Sequence, residues 1–151
     1  QAGLQWQLQL TYHTVESSPI PSTLVQQLNY PTILNAVELE DQFNQMHRLP
    51  GNQLHALSPT FQFCKWLQKI EELSIDKTFD LIYFDAFAPN AQPELWAADL
   101  LQKMYDFLNP NGVLVTYCAK GVVKRTLKSV GFTVHGIPGP PGKREMTRAI
   151  K

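Results

Sequence analysis

The sequence predicts an α/β fold built on a mostly parallel sheet, with an antiparallel hairpin at the C-terminal end. Runs of β-favouring residues alternate with helical patterns along most of the chain, and this order is typical of parallel sheets with helices on both faces. The last two predicted strands follow each other without a helix, which indicates an antiparallel pair at one edge. No repeat or linker divides the sequence, so we expect a single domain over residues 1–151.

The first third of the chain is predicted to contain one strand and two helices. Apolar and polar residues alternate over residues 8–14, as in a half-buried strand. Ser22 is expected to cap a short helix over residues 23–29. A second helix is expected after Pro31, because an imperfect apolar stripe with helical spacing follows, formed by Ile33, Val37, Phe43 and Met46.

The middle of the chain is predicted to hold extended segments on either side of a helix. Residues 54–57 and 61–63 favour extended structure, and residues 66–73 favour a helix. Residues 79–84 form a nearly continuous apolar run of β-favouring types. Such a run is typical of a strand that is buried on both faces.

The segment after Pro93 carries the clearest helical pattern in the sequence. Apolar residues recur there at spacings of three and four, at Ala97, Leu100, Leu101, Met104 and Leu108. This spacing places them on one face of an amphipathic helix. A turn is expected over residues 109–112, whose sequence is Asn-Pro-Asn-Gly, and a buried strand is expected over residues 113–117.

The C-terminal part is predicted to form one helix and the two final strands. The helix is expected over residues 121–130, with Gly131 just beyond its end, where a left-handed backbone favours glycine. Strands are expected over residues 132–136 and 144–150, joined by a connection rich in glycine and proline. These two strands would form the antiparallel hairpin.

Composition excludes several classes of protein. The apolar content of 44% and the charged content of 17% are those of an ordinary globular chain. No apolar run approaches the ~18 residues of a membrane span, and no signal peptide opens the sequence. We therefore expect no membrane contact. The two cysteines and four histidines are scattered without metal-ligand spacing, so we expect no metal site. Two distant cysteines are also typical of a protein in the reducing cytoplasm, which is the location we expect.

The net charge of zero conceals an asymmetry along the chain. Residues 1–119 hold 5 basic and 12 acidic side chains, a balance of −7, whereas residues 120–151 hold 8 basic and 1 acidic, a balance of +7. Such a segment suits a polyanion such as RNA, but a solvated helix face and a charged edge strand would carry the same residues. The basic residues are Lys120, Lys124, Arg125, Lys128, Lys143, Arg144, Arg148 and Lys151.

Two carboxylates follow predicted strands, at positions where open α/β sheets bind their ligands. Glu16 follows the first strand, and Asp85 follows residues 79–84. A carboxylate at such a strand end often accepts hydrogen bonds from ribose hydroxyls, but a solvated loop acid or, for Asp85, a turn cap would have the same sequence. Phe87 could belong to the core or form a stacking wall for a flat ligand.

Several segments share motifs with one enzyme family. They are Glu16-Ser-Ser-Pro19, the run Phe79–Pro89 with Pro93-Glu-Leu-Trp96, the segment Val115–Gly121, and the tail Gly131-Phe132 with Gly139–Met146. Together they resemble the MnmC-type domain, an S-adenosyl-L-methionine (SAM)-dependent methyltransferase. In that family the domain completes 5-methylaminomethyl-2-thiouridine at the wobble position of tRNA.

The resemblance implies a Rossmann-like sheet, SAM as methyl donor and tRNA as partner, with methyl transfer to an aminomethyl group of the wobble uridine. It also implies roles for individual residues. Asp85 would be catalytic, near the substrate amine, and would bind the cofactor together with Glu16 and Ala86, with Glu16 at the ribose. The residues implied at the substrate are Phe87, Pro89, Lys143, Arg144 and Glu145.

Two departures from the family pattern affect these expectations. The sequence contains no Gly-x-Gly loop. We therefore expect the first strand of the sheet and its glycine-rich loop to lie before Gln1. Without that loop, we expect this chain alone to bind SAM weakly or not at all. Cys64-Lys65 stands where an acidic residue often contacts adenine, which leaves that contact unassigned. The alternatives are a SAM methyltransferase acting on another amine, a dehydrogenase-like or non-catalytic nucleotide-binding module, and a fragment that is inactive by itself.

Overall fold

A computed structural model describes residues 8–151 of the chain. The chain forms two compact units, the first ending at Ser74 and the second running from Ile75 to Lys151. Each unit combines strands with helices, which confirms the predicted α/β class. The single domain over residues 1–151 stays a prediction. None of the described helices is long and apolar enough to cross a bilayer.

The first unit is a three-stranded sheet with short helices between its first two strands. The central strand β3 (Phe61–Trp66) pairs parallel with β1 (Leu10–Val15) and antiparallel with β2 (Leu54–Ser58). The helices are α1 (Ser22–Val25), α2 (Tyr30–Ile33) and α3 (Glu40–Arg48), with a 3₁₀ turn at Val37–Leu39. Phe63 and Cys64 are only 3% and 1% exposed, so the core of this unit lies along β3.

The helices of the first unit are shorter than the sequence predicts. α1 spans four residues rather than 23–29. Its cap position is Pro21, and Ser22 lies inside the helix without a capping hydrogen bond from its side chain. The expected second helix is interrupted at Asn35, whose φ of 52° is left-handed. A left-handed residue ends the helical hydrogen-bond pattern, so α2 and α3 are separate helices.

Residues 66–73 do not form a helix, contrary to the sequence prediction. Trp66 is the last residue of β3, and it pairs with Val15 of β1. Its indole N–H donates a hydrogen bond to His13 Nδ1 over 3.0 Å. A bend and a turn follow over residues 67–74. Pairing between β1 and β3 holds Trp66 in an extended conformation, because tertiary contacts outweigh a weak local helical preference.

The second unit is a four-stranded sheet with the strand order β4-β5-β7-β6. Its strands are β4 (Phe79–Tyr83), β5 (Leu108–Thr116), β6 (Thr133–Pro138) and β7 (Glu145–Ile150). β4 and β5 are parallel, whereas β7 is antiparallel to both β5 and β6. The predicted hairpin at a sheet edge is therefore confirmed. Within residues 8–151, two of the five strand pairings are parallel, so both sheets are mixed rather than mostly parallel.

Two amphipathic helices of the second unit, α4 (Ala98–Asp106) and α5 (Gly121–Ser129), agree closely with their predictions. Their inward positions are 0–5% exposed, namely Leu100, Leu101 and Met104 on α4 and Val123 and Leu127 on α5. Gly131 follows α5 with a φ of 107°, as expected for the residue after a helix. Leu108, predicted as the end of the α4 stripe, belongs to β5 instead.

The two parallel strands of the second unit differ from their predictions. Residues 79–84 are predicted to form a strand that is buried on both faces. Instead, β4 is an edge strand of its sheet, and Leu81 is 45% and Tyr83 69% exposed. The expected turn over residues 109–112 lies within β5 as an irregularity in the pairing with β4. Asn111 there has a φ of 65°, which produces the local bend that the sequence predicted as a turn.

Candidate functional site

Three loops of the second unit leave its sheet at the same end. Tyr83 pairs with Val115, so the parallel strands β4 and β5 end level with each other. Thr116 pairs with Thr147, which brings the start of antiparallel β7 to that end as well. We name residues 85–92 the β4 loop, residues 117–120 the β5 loop and residues 139–144 the β7 loop. These loops hold most of the residues that the resemblance implies at the active site.

Side-chain contacts connect the three loops. The Lys120 ammonium donates a hydrogen bond to Asn90 Oδ1 over 2.8 Å, and this contact joins the β5 loop to the β4 loop. The Lys143 ammonium lies 5.8 Å from the centroid of the Tyr117 ring, within the range of a cation–π contact, and so joins the β7 loop to the β5 loop. Through the β5 loop, the β4 loop and the basic β7 loop are therefore connected at one end of the second unit's sheet.

The β4 loop presents Asp85 and Phe87 to solvent. Asp85 is exposed, and its carboxylate accepts no hydrogen bond from the residues that the structure describes, so the interpretation as a turn cap gains no support. Phe87 is 72% exposed and is therefore not a core residue. Ala86 and Pro89 are half-buried in the same loop. A carboxylate and a flat apolar ring are thus both accessible to a ligand.

Trp96 holds the β4 loop in place. Its indole N–H donates a hydrogen bond to the Phe87 carbonyl over 2.8 Å. The indole is only 7% exposed and packs edge-on against Phe84, with ring centroids 5.2 Å apart. The backbone of the loop is thereby fixed to the core two residues after Asp85. The sequence pattern included Trp96 in a family motif but indicated no role for it.

Glu145, at the start of β7, is held by its neighbours. Its carboxylate forms an ion pair of 2.9 Å with the ammonium of Lys124 on α5. Gly136 on β6 lies against it so closely that a Cβ atom there would collide with the carboxylate. The residues around Glu145 line a shallow groove of about 550 Å³, and they include Gly136, Ile137, Pro138 and the exposed Arg144. The contact between Gly136 and Glu145 was not predicted from the sequence.

Two buried threonines fix the backbone of the β5 loop. Thr116 and Thr147 are 3% and 0% exposed. The Thr147 hydroxyl donates to the Cys118 carbonyl over 2.7 Å, and the Thr116 hydroxyl accepts a hydrogen bond from the Cys118 N–H over 3.2 Å. Both backbone groups of Cys118 are thereby satisfied next to Tyr117. Threonine is common in strands, so the sequence did not single out these two residues.

In the first unit, Glu16 follows β1 as predicted, and it is exposed. One of its carboxylate oxygens accepts a hydrogen bond from the Ser18 N–H over 2.7 Å. This contact fixes the side chain within its turn and leaves the second oxygen for another donor. The geometry is compatible both with a ribose contact and with an ordinary loop acid.

Lys65 has a structural role in the first unit. Its ammonium donates to the carbonyls of Met46 and His47 over 3.3 and 2.8 Å, at the C-terminal end of α3. Partial burial and, secondarily, the charge of Lys65 lower the pKa of His47 below its ordinary value. The adenine contact stays unassigned. No three His, Cys, Asp or Glu side chains form a possible metal group within residues 8–151.

The basic C-terminal segment is not one uniform surface. Lys151 donates to the carbonyls of Tyr105 and Leu108, both over 2.8 Å, and so caps the end of α4. Lys124 is paired with Glu145. The remaining basic side chains of the segment are exposed, namely Lys120, Arg125, Lys128, Lys143, Arg144 and Arg148. Six cations are therefore placed where an anionic ligand could reach them.

Comparison with known proteins relates the chain to methyltransferases. A family model described as S-adenosyl-L-methionine-dependent methyltransferase matches residues 38–151. Two curated relatives are the tRNA 5-methylaminomethyl-2-thiouridine biosynthesis bifunctional proteins MnmC of Marinomonas sp. and Methylobacillus flagellatus. The first is 34% identical over 88 residues, covering 57% of this chain and 13% of the relative. The second is 28% identical over 131 residues, covering 79% of this chain and 20% of the relative. The chain thus spans a fifth or less of these relatives.

Solved structures share the fold. MnmC2 from Aquifex aeolicus aligns with a TM-score of 0.66 at 23% identity, covering 92% of this chain and 43% of that chain. A methyltransferase from Pyrococcus furiosus aligns with a TM-score of 0.51 at 21% identity, covering 82% of this chain and 59% of that chain. At these identities the likeness establishes a methyltransferase-like α/β fold and leaves the substrate open.

Proposed function

Since this chain belongs to the S-adenosyl-L-methionine-dependent methyltransferase family, with SAM as its methyl donor, we propose that it methylates an aminomethyl group on the wobble uridine of tRNA. The observation that carries the proposal is the position of exposed Asp85, on a loop fixed by Trp96 and joined through the β5 loop to exposed Lys143. The curated relatives, named for biosynthesis of a methylaminomethyl-uridine in tRNA, support the choice of substrate.

The residues at the strand ends fit the methyl donor. The carboxylate of Glu16 has an oxygen available for the ribose hydroxyls, at a strand end where α/β sheets bind nucleotides. Asp85 and Ala86 would bind beside the reacting group, since they follow β4. When bound, SAM supplies an electrophilic methyl group on a sulfonium, which already has a good leaving group. The protein must therefore mainly align the amine with it.

Asp85 is proposed to orient the substrate amine. An alkylamine is mostly protonated near pH 7, but only the neutral form can attack the methyl carbon. A carboxylate that accepts an N–H hydrogen bond directs the nitrogen lone pair and stabilises the positive charge that develops on nitrogen. The same contact also favours the ammonium form, so orientation accounts for Asp85 better than proton removal does.

The exposed cations and Phe87 are proposed to bind the tRNA. Lys143 and Arg144 would contact phosphates close to the reacting base, since they lie in the β7 loop of the same site. Phe87 and Pro89 would form an apolar wall beside the base. The tether to Lys124 would keep Glu145 in a fixed place for a polar contact to the substrate.

The test is methyl transfer to tRNA of known modification state. The chain is incubated with radiolabelled SAM, at a concentration high enough that weak binding does not limit the rate, and with tRNA carrying 5-aminomethyluridine at the wobble position. We expect label in 5-methylaminomethyluridine after nucleoside digestion, and none with tRNA that lacks the aminomethyl group. Equal labelling of small or protein amines would favour a methyltransferase for another amine. Absence of any labelling would contradict the proposal.

A further inference from the structure

Tyr117 is an aromatic side chain that the function described so far does not use. It directly follows β5, at the end of the sheet where Asp85 follows β4. Tyr117 is 50% exposed. Large aromatic side chains are otherwise a main source of core packing, so a half-exposed ring on a fixed loop suits a ligand contact.

The backbone that carries Tyr117 is rigidly held. Thr116 before it is the last residue of β5, paired with Thr147 of β7. Cys118 after it has its N–H and carbonyl bonded to the hydroxyls of these two threonines. A side chain between two fixed residues loses little additional freedom when a ligand binds, which favours a preformed contact surface.

The ring also has a cation beside it. The Lys143 ammonium, 5.8 Å from the ring centroid, is attracted to the negative charge of one π-face. The exposed part of the ring is left for a second partner. The β5 and β7 loops carry two further exposed cations, Lys120 and Arg144. An aromatic surface next to several cations matches a ligand that combines a flat ring with phosphates, as RNA does.

We propose that Tyr117 is a stacking platform for a base of the RNA substrate, with Lys143 beside it at the adjoining phosphate. The proposal rests on the proposed function, because it requires RNA to enter this site. It adds a positioning residue that acts through the base rather than at the reacting nitrogen. The stacking of a base on Tyr117 does not depend on salt, whereas a phosphate contact of Lys143 weakens as the salt concentration rises. The contributions of Tyr117 and Lys143 can therefore be measured separately.

The experiment measures binding of a fluorescently labelled anticodon stem-loop RNA with 5-aminomethyluridine at the wobble position. Tyr117→Leu should weaken binding about tenfold, the scale of one base stacked on an aromatic ring, with an unchanged salt slope. Tyr117→Phe should restore the affinity, because it retains the π-face. Lys143→Met should make the slope of log affinity against log salt concentration shallower, by the amount expected for the loss of about one phosphate contact. Tyr30→Leu is the matched control, since Tyr30 is 53% exposed and lies in the first unit.

A direct readout is photocrosslinking of the same RNA with 5-iodouridine in the loop, followed by mass spectrometric identification of the crosslinked residue. A crosslink at Tyr117 supports the proposal. RNA binding of Tyr117→Leu within twofold of the wild type would overturn it and leave the proposed function intact. Weaker SAM binding by Tyr117→Leu, with normal RNA binding, would also overturn it, because the ring would then serve the methyl donor. If the wild type binds no RNA, both proposals fail.

Discussion

Asp80, inside β4, and Asp85, just after it, show how two nearby acids differ in their availability. Asp80, inside β4, accepts a hydrogen bond from Asn109 Nδ2 over 2.8 Å and is therefore used within the fold. Asp85 follows β4, is exposed, and accepts no hydrogen bond from the described residues. Only Asp85 can offer its carboxylate to an incoming amine without breaking a contact, so Asp80 is its matched control.

We expect Asp85→Asn to lower the rate of tRNA methylation ~10²-fold or more, the scale of one positioned catalytic group. The melting temperature should stay near that of the wild type, because the carboxylate makes no hydrogen bond or ion pair with the described residues. Initial rates of label transfer from SAM measure the effect. Asp80→Asn should keep most of the rate. A wild-type rate in Asp85→Asn would reduce Asp85 to an ordinary loop acid.

Trp96 provides a second prediction at the scale of the residue. Trp96→Phe removes the indole N–H that binds the Phe87 carbonyl but keeps an aromatic ring against Phe84. We expect a loss of about 1 kcal/mol in the free energy of unfolding, the net value of one hydrogen bond, and a lower methylation rate because the β4 loop is no longer fixed.

Trp66→Phe is the control for this variant, since it removes a comparable indole hydrogen bond, to His13 in the first unit. It should lower stability by a similar amount. Denaturant unfolding and initial rates are measured on both variants. If they lose activity equally at equal loss of stability, Trp96 has only a general structural role.

At the scale of the element, α5 and the β7 loop divide the basic segment into two parts. Arg125 and Lys128 on α5 are exposed, whereas Lys124 on the same helix is already paired with Glu145. The β7 loop places Lys143 beside Tyr117. The helix is therefore expected to contribute mainly to RNA affinity, and the loop to both affinity and turnover.

Salt dependence tests this division. If Arg125 and Lys128 contact phosphates, replacing both with Gln should make the slope of log affinity against log salt shallower by about 1.4–1.8, at ~0.7–0.9 per contact. Adding Lys124→Gln should change the slope little. Replacing Lys143 and Arg144 with Gln should also reduce turnover. A wild-type slope in the Arg125 and Lys128 variant would indicate that α5 is only a solvated helix face.

At the scale of the whole molecule, the 151 residues contain no Gly-x-Gly loop. Such a loop allows the backbone to approach a nucleotide closely and presents the N–H groups of a helix N-terminus to it. We therefore predict that the chain binds SAM weakly, with no saturation at micromolar concentrations in isothermal titration. Micromolar affinity would contradict this prediction and would mean that SAM binding does not depend on a glycine-rich loop.

The sequence by itself determined the features that depend on short spacings. The apolar repeats of three and four residues defined α4 and α5, because the helical period relates neighbouring side chains directly. Gly131 was identified because few other residues adopt its left-handed backbone. Glu16 and Asp85 were found as the residues that follow strands. The family resemblance was also readable from the sequence, and the family match over residues 38–151 confirms it.

The tertiary structure alone decided the features that depend on partners far away in the chain. Trp66 is extended because it pairs with Val15, although its local pattern favours a helix. Thr147 bonds the carbonyl of Cys118, 29 residues away, and thereby fixes the loop of Tyr117. A hydrogen bond of this kind depends on the register between two strands, and spacing within one segment carries no information about that register.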